Sequence, residues 1–166
     1  MGFVVAVPQS SQAMWKDSYV WNDLEIAKDE VARDYARLTQ KYSLDPQRVV
    51  LAGHSMGGEA AIWLALTGAI PARGFIAFGP GGPYMDTPLE WLPVIRERGK
   101  PDLRGYIVVG ERDDTIHQDG VRTLVEMLNR EGVACDLEVV PKAAHDFVTE
   151  YETSLLQAVE YLLSED

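Results

Sequence analysis

The stretch Gly53-His54-Ser55-Met56-Gly57-Gly58 places a serine between two glycines in a G-x-S-x-G pattern. An apolar run, residues 48–52, leads into it and a helical pattern leaves it. The serine therefore falls at a sharp strand-to-helix turn, the context a nucleophilic serine requires. Such a turn forces the serine into a strained backbone conformation with its hydroxyl at the tip. Residues two before and two after must then lack bulk, a need Gly53 and Gly57 meet. The hydroxyl would sit at a helix N-terminus, where unpaired N–H groups favour developing negative charge, and the Met56 amide can donate to an oxyanion. The plain rival is a glycine-rich turn that cradles phosphate. The spacing matches neither G-x-G-x-x-G nor G-x-x-x-x-G-K-[ST], so both nucleotide patterns fail here.

A serine hydroxyl is a weak nucleophile and needs a base held by a third group. The chain offers three histidines. His54 adjoins Ser55, but the sharp turn directs its side chain elsewhere, so packing is its expected role. His117 follows the fourth apolar run and reads as a loop residue. His145 follows the fifth run at its carboxyl end, the edge that also carries Ser55 and on which ligands bind in open α/β sheets. His145 is thus the expected base. The fourth run leads into Gly110-Glu111-Arg112-Asp113-Asp114. A carboxylate here can accept from the imidazole N–H and fix its tautomer, and Asp113 and Asp114 compete for that place.

Elements that could hold these residues are legible along the chain. Five apolar runs, residues 3–7, 48–52, 74–78, 106–109 and 137–140, read as strands, and most are continuous, as in a parallel sheet covered on both faces. Helical periodicity predicts helices over 23–42, 57–67, 120–130 and 152–163. Asn22 is the expected cap of the first, with Glu25 closing a capping box, and Ala27, Val31, Tyr35, Leu38 and Tyr42 form its apolar stripe. Strand–helix alternation of this kind gives an α/β fold with a mostly parallel sheet flanked by helices. The long connection 79–104 is rich in Gly and Pro and reads as a binding loop or small lid, or as a merely irregular loop, with function favoured at this length. Trp15, Tyr84, Met85 and Trp91 could line an acyl pocket or equally belong to the core.

Composition limits the partners. In 166 residues, 46% hydrophobic and 25% charged, 15 Lys and Arg stand against 26 Asp and Glu, a net charge of −11. That is an ordinary globular mixture, long enough for one domain over 1–166 with its own core. An anionic chain without a basic cluster repels phosphate backbones and anionic lipid, so neither nucleic acid nor membrane is an expected partner. The single cysteine, Cys135, makes no internal disulfide, and no zinc-ligand spacing exists. No apolar run reaches transmembrane length, and residues 1–8 lack the basic n-region of a secretory signal, which fits a cytoplasmic location.

The motifs Gly53-His54-Ser55-Met56-Gly57-Gly58, Gly110-Glu111-Arg112-Asp113 and His145-Asp146-Phe147, in that order, resemble the α/β-hydrolase superfamily. More narrowly the chain is similar to the serine carboxylesterase and lysophospholipase branch, with dienelactone hydrolase-like proteins as cousins. Pro8 after the first run and the Trp21 helix lead-in are similar as well. The resemblance spans nearly the whole chain but specifies no substrate. It implies a Ser55–Asp113–His145 triad, favouring Asp113 over Asp114 through the G-x-x-D match. Dienelactone hydrolases carry a cysteine nucleophile, so Ser55 implies ordinary ester chemistry. In these families the run 3–7 would be the fourth strand of the sheet, and the preceding strand ends in a His-Gly-type loop that supplies a second oxyanion donor. Neither precedes the run here, so a truncated or minimal version of the fold is expected, with the loop Gln9-Ser10-Ser11-Gln12 as a substitute donor. Strand edges exposed by that absence would favour association into a homo-oligomer.

The expected function is hydrolysis of a small-molecule carboxylic ester, or thioester, through an acyl-enzyme, with no metal or organic cofactor. The alternative is a catalytically weak hydrolase-like module acting by binding or assembly, since losing one oxyanion donor costs about 100- to 1000-fold in turnover.

Overall fold

Apolar runs joined by helices demand a sheet buried on both faces. The computed structural model, which describes residues 3–98, 102–146 and 151–164, contains one. A small antiparallel hairpin comes first, β1 (Ala13–Trp15) and β2 (Ser18–Tyr19), turning through Lys16 and Asp17 with Asp17 at φ 62°. Helix α1 (Leu24–Lys41) follows. Then come β3 (Val50–His54), α2 (Met56–Thr67), β4 (Gly74–Phe78), the short helix α3 (Pro83–Asp86), α4 (Trp91–Arg98), β5 (Arg104–Gly110), α5 (Gln118–Arg130), β6 (Ala134–Val140) and α6 (Tyr151–Leu163). The four later strands form one parallel sheet in the order β3-β4-β5-β6.

Strand period explains the two cores. Phe75, Ala77, Ile107 and Val109 face one way and pack with Leu66, Trp91, Ile95, Leu124 and Leu128 of α2, α4 and α5. Ile76, Phe78 and Val108, the alternate positions, face the other way and pack with Tyr151, Ala158 and Leu162 of α6. The central strands β4 and β5 thus bury both sides, which is why they read as apolar runs.

Four expectations need correction. Residues 3–7 form no strand; Val5 and Val7 are 81% and 88% exposed. An apolar run becomes a strand only when a neighbour offers a ladder of N–H and C=O groups, and no described strand pairs with it. β3 is accordingly an edge of the sheet among the described residues. The α1 cap is Asp23 rather than Asn22: the Asp23 carboxylate accepts from the amides of Glu25 (3.0 Å) and Ile26 (3.1 Å), while the Asn22 amide donates to Gln12 Oε1 at 3.0 Å. The stripe of α1 is only partly covered, with Ala27 buried, Val31, Tyr35 and Leu38 half-buried and Tyr42 exposed. The connection 79–104 is no irregular loop, since α3, a 3₁₀ turn at Pro88–Glu90 and α4 occupy most of it. The Trp91 and Ile95 spacing buries one face of α4, and Met85 also lies in the core, which removes both from any acyl pocket.

Candidate active site

The turn from β3 into α2 has the expected strain. Ser55 adopts φ 54° and ψ −124°, a conformation a side chain-bearing residue rarely takes. Its carbonyl accepts from the amides of Gly58 (2.9 Å), Glu59 (3.1 Å) and Gly81 (3.2 Å), and its own amide donates to the Phe78 carbonyl at 2.9 Å. Strain in the turn is therefore held by bonds on both sides of it. The two glycines differ in role. A side chain at Gly53 would overlap the Gly57 carbonyl, whereas one at Gly57 would meet only Trp21 Cδ1, at 3.8 Å. The need for a small residue two positions after Ser55 is thus not steric; what the turn requires is that Gly53 let the Gly57 backbone come close.

Four consecutive strand ends converge here: Ser55 follows β3, Gly79 follows β4, Asp113 lies beyond β5 and His145 beyond β6. Ser55 Oγ lies 3.0 Å from His145 Nε2, and His145 Nδ1 lies 2.8 Å from Asp113 Oδ2. An ionised carboxylate only accepts, so Nδ1 carries the proton and Nε2 is left to accept from the serine hydroxyl. The second Asp113 oxygen, Oδ1, accepts from the amides of Thr115 (3.0 Å) and Ile116 (3.3 Å). Asp113 is buried and the His145 side chain is 20% exposed, so the imidazole is reachable while its carboxylate is not. Asp114 is exposed. Beyond the ladder, Glu111 N–H donates to the Val140 carbonyl (2.9 Å) and Arg112 N–H to the Ala143 carbonyl (2.8 Å), tying the Asp113 loop to the His145 loop.

Other candidates fall into place around this line. His54 Nε2 lies 2.7 Å from the His145 carbonyl and its ring is 4.8 Å from the His145 ring, so it braces the base. His117 is an exposed residue at the start of α5 whose side chain makes no cap bond. Met56 is the first residue of α2 after its Ser55 cap, so its amide has no acceptor within the helix. A cleft of about 480 Å³ runs beside it, lined by Gln12, Ala13, Met14, Val20, Asn22 and Ile26. In the 9–12 loop the Ser11 N–H donates to Glu30, the Gln12 N–H to Ser10 Oγ, and the Gln12 side-chain amide to the Asp23 carbonyl. Phe147, quoted for the third motif, lies outside the described residues.

Two participants were not legible in the sequence. Gly79, at φ +46°, lies so close that a side chain there would come within 3.1 Å of Asp113 Oδ2 and 3.3 Å of His145 Nδ1. Glu59, an unremarkable first-turn acid by sequence, is fully buried, and burial pushes its carboxyl up to about 7 against the lowering effect of the Tyr84 and Met85 amides; Asp86 raises it further. Among the described residues no three His, Cys, Asp or Glu side chains are grouped to hold a metal ion, and no helix is long and apolar enough to cross a membrane.

Known proteins with this architecture are numerous. An uncharacterized protein from Bacillus cereus superposes with a TM-score of 0.85 at 25% identity, covering 97% of this chain and 51% of its own. The S-formylglutathione hydrolase (FrmB) of Staphylococcus aureus matches with a TM-score of 0.63 at 21% identity over 82% of this chain and 60% of its own. The esterase Est2 of Thermogutta terrifontis matches with a TM-score of 0.60 at 23% identity over 89% of this chain and 66% of its own. The chain thus spans about half the length of the Bacillus cereus protein. The latter two likenesses show the α/β-hydrolase fold. No curated protein matches in sequence. A sequence model of the dienelactone hydrolase family, by contrast, matches residues 3–162. With the match running nearly end to end through all four strand ends of the site, the chain belongs to the dienelactone hydrolase family.

Proposed function

We propose that the chain carries a serine hydrolase site that cleaves carboxylic esters, and thioesters by the same chemistry, through an acyl-enzyme. The observation that carries this reading is the unbroken line Ser55 Oγ–His145 Nε2–Nδ1–Asp113 Oδ2 with spacings of 3.0 and 2.8 Å. His145 takes the Ser55 proton as Oγ attacks the substrate carbonyl, and Asp113 stabilises the imidazolium that forms. The Met56 amide donates to the oxyanion. His145 then protonates the leaving alcohol or thiol, and the carbonyl re-forms as the acyl-enzyme. Water repeats the sequence, releasing the acid and restoring Ser55. A family whose relatives use cysteine at this turn here presents a serine, a harder nucleophile suited to ordinary esters. Neighbours named as an esterase and as S-formylglutathione hydrolase support the ester and thioester classes.

A second reading is a hydrolase-like module that binds without efficient turnover. It is favoured by the 9–12 loop, whose Ser11 and Gln12 amides are engaged with Glu30 and Ser10 and so do not serve as a second oxyanion donor. Purified protein should hydrolyse p-nitrophenyl acetate and be labelled at Ser55 by a fluorophosphonate, and Ser55→Ala and His145→Ala should abolish turnover. Wild-type turnover in Ser55→Ala would reject the mechanism. Folded wild-type protein that neither turns over the ester nor takes the label would favour the binding module.

A further inference from the structure

We propose that Glu59 is a positioning residue for the Ser55–His145–Asp113 line, acting as a buried clamp on the loop 79–85. The proposal rests on the triad reading above but concerns a residue that touches none of the three side chains.

The loop leaves β4 and lies across the whole site. At its start the Gly79 amide donates to the Val108 carbonyl (2.7 Å), and Gly79 itself sits against the His145–Asp113 bond. Two residues on, the Gly81 amide donates to the Ser55 carbonyl (3.2 Å). Gly81 also abuts Ile116, whose amide donates to Asp113 Oδ1: a side chain at Gly81 would lie 3.0 Å from Ile116 Cγ2. One short segment therefore contacts the nucleophile's turn, the base and the acid. Its far end is held by the Met85 side chain in the core, by the Trp91 indole N–H donating to the Tyr84 carbonyl (3.0 Å), and by one carboxyl oxygen. Glu59 Oε1 accepts from the amides of Tyr84 (2.8 Å) and Met85 (3.1 Å), the first turn of α3.

The cost of that arrangement argues for a role. Glu59 is fully buried, one turn beyond Ser55 on α2. Its Oε2 has no hydrogen-bond partner among the described residues, and a side chain at Gly82 would overlap the carboxyl. Asp86 is the charged group that bears on it, and no cation is among the groups that shift it. Burying an acid beside apolar groups is unfavourable unless its bonds matter. Amides in the first turn of a four-residue helix could face water on the surface; here both meet Glu59, the Met85 amide also donating to the Gly82 carbonyl (3.0 Å), and the loop between them and Ser55 is tethered at both ends.

The test uses the full chain with Glu59→Gln, which keeps one acceptor oxygen, Glu59→Ala, which keeps none, and Glu59→Met, which fills the volume without an acceptor. Two readouts are taken: kcat and KM on p-nitrophenyl acetate, and the far-downfield proton NMR signal of His145 Nδ1–H without substrate. Glu59→Ala and Glu59→Met should lower kcat by about 10- to 100-fold, the scale of a small misplacement, with KM within about 2-fold. Both should shift or broaden the His145 proton, and Glu59→Gln should restore both readouts most of the way. Glu59→Met keeps the test open if the alanine variant does not fold. A folded variant without an acceptor that shows wild-type kcat and an unmoved His145 proton overturns the proposal. If the wild-type protein proves inactive, the ester reading fails while the His145 signal still decides the role of Glu59.

Discussion

Replacing Glu59 by Gln should remove a component of stability that depends on pH. In the folded chain the carboxyl is raised from 4.5 to about 7, burial being the largest cause, the Tyr84 and Met85 amides opposing it and Asp86 adding to it. The folded state therefore holds a proton that the unfolded chain releases. The contribution to stability is complete below the unfolded value, declines as pH rises from 4.5 toward 7, and is lost above it. Over that interval, at about 1.4 kcal/mol per pH unit, the loss comes to about 3.5 kcal/mol. In a chain of this size that corresponds to roughly 7–14 °C in melting temperature. The assay is urea or thermal unfolding of wild type and Glu59→Gln from pH 4.5 to 8 at fixed ionic strength. The difference between the two proteins is the quantity to read, because the titration of the other acidic groups cancels in it. A difference that stays constant within about 0.5 kcal/mol across the range, the scale of an ordinary surface substitution, would refute the account of Glu59 as a buried acid.

Asp113→Asn should lower kcat on p-nitrophenyl acetate by about 10³- to 10⁴-fold, through the wrong imidazole tautomer, while Asp114→Asn should leave steady-state kinetics within about 2-fold. Gly53→Ala should destabilise the protein by about 3 kcal/mol or more in thermal unfolding, because the new methyl overlaps the Gly57 carbonyl. Gly57→Ala, with open space before Trp21, should unfold at the wild-type temperature or above.

Much of the fold could be read from the chain because its central strands bury both faces. Gly74–Phe78 is apolar throughout and is a strand from end to end. The same logic misled at residues 3–7, where an equally apolar run lacks a ladder to join: strand formation depends on a neighbour that hydropathy does not show. The hairpin Ala13–Tyr19 was missed because its turn has no glycine; Asp17, tolerant of positive φ, was the available signal. Trp91 and Ile95 carried a helical spacing that the Gly- and Pro-rich start of 79–104 obscured. At the site, Ser55, Asp113 and His145 were legible because each follows a strand end in the order the chemistry needs. Glu59 and Gly79 were not, since burial of an acid and the approach of a backbone to a side-chain bond are products of packing alone.

Because each part of the candidate site hangs from a different strand, its assembly is a property of the sheet rather than of any one segment. The Asp113–His145 bond bridges the seam between β5 and β6, and among the described residues β6 is the strand furthest along the chain. A growing chain would already hold Ser55, its strained turn and Asp113, yet lack the proposed base until β6 docks. If the proposed ester chemistry holds, turnover would then serve as a direct clock for that docking step, separating chains whose β3–β5 sheet has formed from those in which β6 has found its register.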